Sequence, residues 1–113
     1  MLGNLFMRTY IVDIDGTICT QNHFKNGKRD YSQAKPLKNR IQKINKLFED
    51  GNEIHYWTAR GSQTGLDHKE LTLNQLKKWG CKYTSLRVGD KPHYDIWIDD
   101  KAIWSEDYFK NLD

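Results

Sequence analysis

The chain has 113 residues, 37% hydrophobic, 12% aromatic and 29% charged, with a formal net charge of +3. That length fits one domain, taken as 1–113, and four Trp, six Tyr and four Phe supply bulk that disordered chains lack. No apolar run nears the roughly 18 residues of a membrane span, and residues 1–6 lack the charged flank and long apolar stretch of a secretory signal, so a cytoplasmic protein without membrane contact is expected.

Thr9-Tyr10-Ile11-Val12 is short, apolar and β-branched, and it runs into Asp13-Ile14-Asp15-Gly16-Thr17. It reads as a buried strand ending in a turn. Residues 19–35 are polar, carry Asn26-Gly27 and lack helical periodicity, so they read as a loop or small hairpin flap. Pro36 opens a helix whose Leu37, Ile41, Ile44, Leu47 and Phe48 recur at helical spacing, with Gly51 as its stop. Glu53–Trp57 reads as a second strand, ending at Thr58-Ala59-Arg60-Gly61. A helix follows from about Asp67 to Trp79, stopped by Gly80, with Leu73 and Leu76 inward. A weak strand is expected near Tyr83–Val88, then Gly89-Asp90-Lys91-Pro92. Tyr94–Ile98 reads as a last strand leading into Asp99-Asp100, and a short helix closes the chain near Ile103–Phe109. Trp79, Trp97 and Trp104 are expected in the core, and His55 in a structural role.

Strands alternating with helices specify an α/β fold with a parallel sheet and right-handed crossovers. Ligands of such sheets bind outside the carboxyl ends of the strands. Asp13/Asp15, Thr58/Arg60 and Asp99/Asp100 all fall at such ends. Two carboxylates two residues apart on an extended chain share a side, and at about 4 Å their charges repel by roughly 4 kcal/mol at an effective dielectric constant near 20. Joined by Asp99 and Asp100, they would need a cation, and hard oxygen donors with room for water suit Mg²⁺. A phosphate approaching such acids needs its own charge offset. Lys91 is a suitable point charge, and the Thr58 hydroxyl can hold a phosphate oxygen. Cys19 and Cys81 form no CxxC pair and are read as ordinary reduced thiols.

In order and spacing, Asp13-Ile14-Asp15-Gly16-Thr17, Trp57-Thr58-Ala59-Arg60, Lys91-Pro92 and Ile98-Asp99-Asp100 resemble the four motifs of the haloacid dehalogenase-like phosphotransferases. The small capless phosphatases linked to capsule or surface-polysaccharide synthesis are the most similar subgroup, through Thr58–Gly61, Lys91-Pro92 and Ile98–Ala102. The chain differs from that subgroup in carrying Asp90, not Gly, directly before Lys91, which puts an extra acid near the site. The resemblance implies a three-layer, Rossmann-like parallel sheet flanked by helices, without a cap domain. It implies that Asp13 is the nucleophile, forming an aspartyl-phosphate, and that Asp15 is the general acid and base. Thr58, Ala59, Arg60 and Lys91 would bind substrate, with Thr58 and Lys91 holding the phosphoryl group. Asp13, Asp15 through its carbonyl, and Asp99 would bind Mg²⁺, Asp100 joining through water or directly.

The expected activity is hydrolysis of a phosphomonoester, a sugar phosphate first among them. A basic stretch, with eight Lys or Arg against Asp30 alone between Thr20 and Lys46, motivates a nucleotide or polynucleotide phosphatase as the alternative. A non-catalytic partner-binding domain is the third reading. A capless site calls either for a large substrate or for closure by another subunit, a homo-oligomer included. Lys25, Lys28 and Arg29 of the flap, and His93 beside Lys91, are further candidates for substrate contact, His93 reading first as an ordinary loop histidine.

Overall fold

A computed structural model describes residues 7–112. Five strands and three helices follow in chain order: β1 (Thr9–Val12), β2 (Phe24–Lys25), β3 (Lys28–Arg29), α1 (Lys38–Glu49), β4 (Glu53–Thr58), α2 (Lys69–Lys78), β5 (Ser85–Val88) and α3 (Ser105–Tyr108). β1, β4 and β5 form a parallel sheet in that order, with Val12 level with Tyr56 and Thr58 level with Val88.

Two successive crossovers step the same way across the sheet, and right-handedness then puts α1 and α2 on one face. Burial alternates accordingly. Val12, Ile54, Tyr56 and Thr58 point inward and pack with Ile41, Ile44 and Leu76 from the helices and Phe109 from the chain end. The opposite face carries Ile11, His55, Trp57 and Arg87 in register, half-buried or exposed, and no helix covers it among the described residues. The mixed α/β class with a parallel sheet flanked by helices therefore holds, while a third layer is not formed by the described residues. His55 is structural, as expected: its ring bridges Ser85 and Glu53.

The flap is a hairpin. β2 and β3 pair antiparallel, Lys25 opposite Lys28, and Asn26 and Gly27 both take positive φ, 54° and 75°. Those angles make the two-residue turn whose twist matches a right-twisted ribbon. α1 buries the stripe that its spacing predicts, and it anchors the chain end: Arg40 pairs with Glu106 at 2.8 Å and Lys43 Nζ donates to the Tyr108 carbonyl. In α2 the buried positions are Thr72, Gln75 and Leu76, whereas Leu73 is only half-buried. Two polar residues point inward there because they hold a buried cation, described below.

The last strand is the clearest correction. Residues 89–104 form no strand; Ile96, Ile98, Ile103 and Trp104 are exposed, and Trp97 is partly so. Trp97 and Trp104 are therefore surface residues, while Trp79 packs against the core. Tyr94–Ile98 has the apolar content of a strand, yet among the described residues no neighbouring strand receives it.

Both cysteines are free. Burial pushes the Cys81 thiol up to about 11, with the Tyr56 hydroxyl pulling slightly back. The folded state thus keeps this proton longer than the unfolded chain does, so its contribution to stability is intact below about pH 8.5 and falls as pH rises towards 11. Alkylation of Cys81 should accelerate about tenfold per pH unit between pH 8 and 10, because the thiolate is the nucleophile. Cys19, fully buried, should stay unmodified over the same range; peptide mass mapping of the alkylated protein checks both.

Candidate active site at the carboxyl edge of the sheet

The turn after β1 is closed by N–H groups of Thr17 and Ile18 donating to the Ile14 carbonyl, and Gly16 donates to the Cys19 carbonyl with φ 79°. It sets Asp13 and Asp15 at the sheet's carboxyl edge, each with its own cation. Lys91 Nζ lies 3.3 Å from Asp13 Oδ1. Burial raises the Asp13 carboxyl above its ordinary value, opposed by the Lys91 ammonium and an Ile14 N–H hydrogen bond. With 41% of its side chain exposed, Asp13 stays open to solvent and to a ligand, which limits that rise.

Arg60 is held quite differently. Its side chain is fully buried, and it donates through Nε to Asp15 Oδ2 at 2.9 Å and through Nη2 to Asp15 Oδ1 at 2.8 Å. Nη1 donates to Thr72 Oγ1 at 3.1 Å and to Gln75 Oε1. The guanidinium also lies under the Tyr31 ring at 4.8 Å, and Gln75 Nε2 donates to the Tyr31 carbonyl. Burial alone would disfavour its charge, but the bonds to Asp15 and that carboxylate's charge raise its pKa overall. Arg60 therefore does not face a substrate as the sequence led us to expect. It is the post that fixes Asp15, α2 and the base of the flap together. The signal for this was Thr72 and Gln75, polar residues three apart on the face that also carries Leu76.

Thr58 ends β4 and is buried; its Oγ1 accepts from the Arg60 N–H at 3.2 Å, and its carbonyl accepts from Gly89. Its hydroxyl caps the turn, and Ala59 beside it is half-buried. Gly61 closes the turn at φ 82°, where an added Cβ would meet the Leu66 carbonyl oxygen at 2.1 Å. Gly61→Ala should cost about 2 kcal/mol or more, since both the backbone angle and a backbone contact oppose it. Urea denaturation followed by circular dichroism checks this.

Asp90, the extra acid, is neutralised outside the site: it pairs with Arg87 at 2.6 Å and accepts from Trp57 Nε1 at 2.8 Å, and these bonds lower its pKa. Asp99 and Asp100 are not brought to Asp13 and Asp15. Both are exposed, and Asp99 accepts from Trp97 Nε1 and the Lys101 N–H. Among the described residues no three His, Cys, Asp or Glu side chains are grouped to hold a metal ion. As placed, Asp99 and Asp100 do not complete a Mg²⁺ cage with Asp13 and Asp15. His93 is exposed.

Between the β1 turn and the flap lies a shallow cleft lined by Asp15, Thr20, His23, Arg29, Asp30 and Tyr31, among others. Its wall is ordered by Thr20 Oγ1, which contacts His23 Nε2 at 2.8 Å and accepts from the Lys35 N–H.

Fold and site together define an α/β protein with paired carboxylate–cation contacts at the carboxyl edge of a parallel sheet. No family model matches the chain, and no curated protein matches it. A crystal structure of a target protein from Vibrio cholerae is similar at 25% identity with a TM-score of 0.77, covering 92% of this chain and 89% of that one.

Proposed function

We propose that the protein is a phosphomonoester hydrolase of the haloacid dehalogenase-like type, acting through an acyl phosphate on Asp13. The observation that carries this reading is the open Asp13 carboxylate with Lys91 at 3.3 Å, beside an Asp15 whose orientation is fixed by two bonds from Arg60. A carboxylate that attacks phosphorus must be solvent-reachable and held by a cation that also draws in the dianion, and Asp13 meets both needs.

An Asp13 oxygen bonds to phosphorus as the substrate's ester oxygen leaves with a proton from water, since both Asp15 oxygens accept from Arg60. Water then attacks the same phosphorus, giving its proton to solvent, and Asp13 is released with inorganic phosphate; for Asp15 to serve as the acid and base, one of its oxygens would have to leave Arg60 first. Lys91 offsets charge on the transferring group throughout. Thr58 keeps the turn that follows β4 in shape, and Ala59 is the half-buried residue that such a group would meet there.

A sugar phosphate remains the first substrate class to test. The exposed hairpin, with Lys25, Lys28 and Arg29 beside Phe24, favours a second class, a phosphorylated oligonucleotide. If the hairpin grips a phosphate backbone, oligonucleotide affinity should fall steeply with salt, with a log–log slope near −2 for three phosphate contacts on a single strand. Fluorescence anisotropy at several NaCl concentrations reads this, and absence of binding at low salt removes the class. The activity itself is tested by phosphate release in Mg²⁺ buffer from a panel of sugar phosphates, nucleotides and 3′-phosphorylated oligonucleotides.

A further inference from the structure

On the helical side of the sheet, a groove of about 230 Å³ runs between α1 and the end of α2. Its floor is apolar, formed by Pro36, Ile41 and Trp79; Ile41 belongs to the core and Trp79 packs against it. Its rim carries Lys38, Gln42 and Lys78, all exposed. Asn45 closes one side: its Nδ2 donates to the Gly80 carbonyl at 2.8 Å, and its Oδ1 accepts from the Lys82 N–H at 2.8 Å. These two bonds tie α1 to the turn after α2 and fix the spacing of the helices, so the groove is preformed. None of its lining residues belongs to the cleft beside Asp15.

The charge of the lining is one-sided. Among the described residues no acid lines the groove. Neighbouring lysines are neutralised, Lys46 by Asp50 at 2.8 Å and Lys82 by Glu49 at 2.9 Å, whereas no carboxylate of the described residues pairs with Lys38 or Lys78. An apolar floor flanked by two uncompensated ammonium groups fits a ligand that is aliphatic in the middle and anionic on both sides. The volume falls below the roughly 300–1,000 Å³ of pockets that enclose a small molecule, and it suits side chains presented by a longer chain. A nucleic-acid strand fits less well. Bases stack on exposed aromatic faces, but the one ring here is half-buried and the rest of the floor is aliphatic. We infer that the groove docks an acidic segment of a partner protein. An aliphatic side chain of that segment seats over Pro36, Ile41 and Trp79, and flanking carboxylates meet Lys38 and Lys78. Part of the basic stretch between Thr20 and Lys46 thus serves a face remote from the hairpin. The docking stands apart from the proposed chemistry, and its test reads binding rather than turnover.

A random-sequence peptide library displayed on phage and selected against the full chain should converge on segments with an aliphatic residue flanked by Asp or Glu. A synthetic peptide of that consensus, followed by fluorescence anisotropy, should lose affinity by at least about tenfold when Lys38→Glu and Lys78→Glu are combined. Gln42→Trp should fill the groove from its rim and weaken the same peptide with no change of charge. Lys38→Arg with Lys78→Arg should retain it. All three positions are exposed, so the urea midpoints of these variants should match the wild type. Selection without a consensus overturns the inference. So does a basic consensus, or a peptide that binds the doubly Glu-substituted chain as tightly as the wild type. An oligothymidylate whose binding falls with the same two substitutions also overturns it, and assigns the groove to a nucleic-acid strand.

Discussion

Asp13→Asn should reduce phosphate release by at least about a thousandfold, since an amide cannot form the acyl-phosphate intermediate. The urea midpoint of the same variant should change little. Asp13 keeps 41% of its side chain in water, and the asparagine oxygen can still accept from Lys91, whose side chain is 11% exposed, so the substitution leaves that ammonium with a hydrogen-bond partner. The pairing of these two outcomes matters. Activity lost with the fold intact separates chemistry from architecture, and that separation is possible at Asp13 and not at its neighbour.

Asp15→Ala should behave in the opposite way, destabilising the protein by about 3–5 kcal/mol because it strands the buried Arg60 charge. Few domains have more than about 5–15 kcal/mol in all, so the urea midpoint should drop by roughly 2 M or more for a chain of this size. Replacing both partners, Asp15→Ala with Arg60→Met, should recover part of that loss, because no ion then remains to be buried. If Asp15→Ala leaves the midpoint unmoved, Arg60 is not the central post described above. Inactivity of an Asp15 variant, taken alone, would therefore say little about acid–base catalysis.

Much of this architecture was legible in the residues. β-branched and apolar runs placed β1 and β4, the 3.6-residue stripe placed α1, and Asn26-Gly27 marked the hairpin. The location of Asp13, Asp15 and Thr58 at strand ends followed from the same reading, whereas Lys91, read there as the charge that offsets a phosphate, lies 3.3 Å from Asp13. What was not legible depends on partners distant in sequence. Arg60 follows a strand just as a substrate-facing residue would, and Asp15, Thr72 and Gln75, all distant in sequence, hold it inward. Tyr94–Ile98 shows the alternation of a strand, but a strand needs a neighbour as well as a pattern. Asp99 and Asp100 consequently lie apart from the acids that they were expected to join.

The covalent role of Asp13 is read by acid quenching during turnover, followed by peptide mass mapping. A phosphate is expected on the peptide containing Asp13, labile to hydroxylamine as an acyl phosphate must be, and absent from Asp13→Asn. Turnover with no phosphate on that peptide, or with phosphate retained after Asp13→Asn, would contradict it.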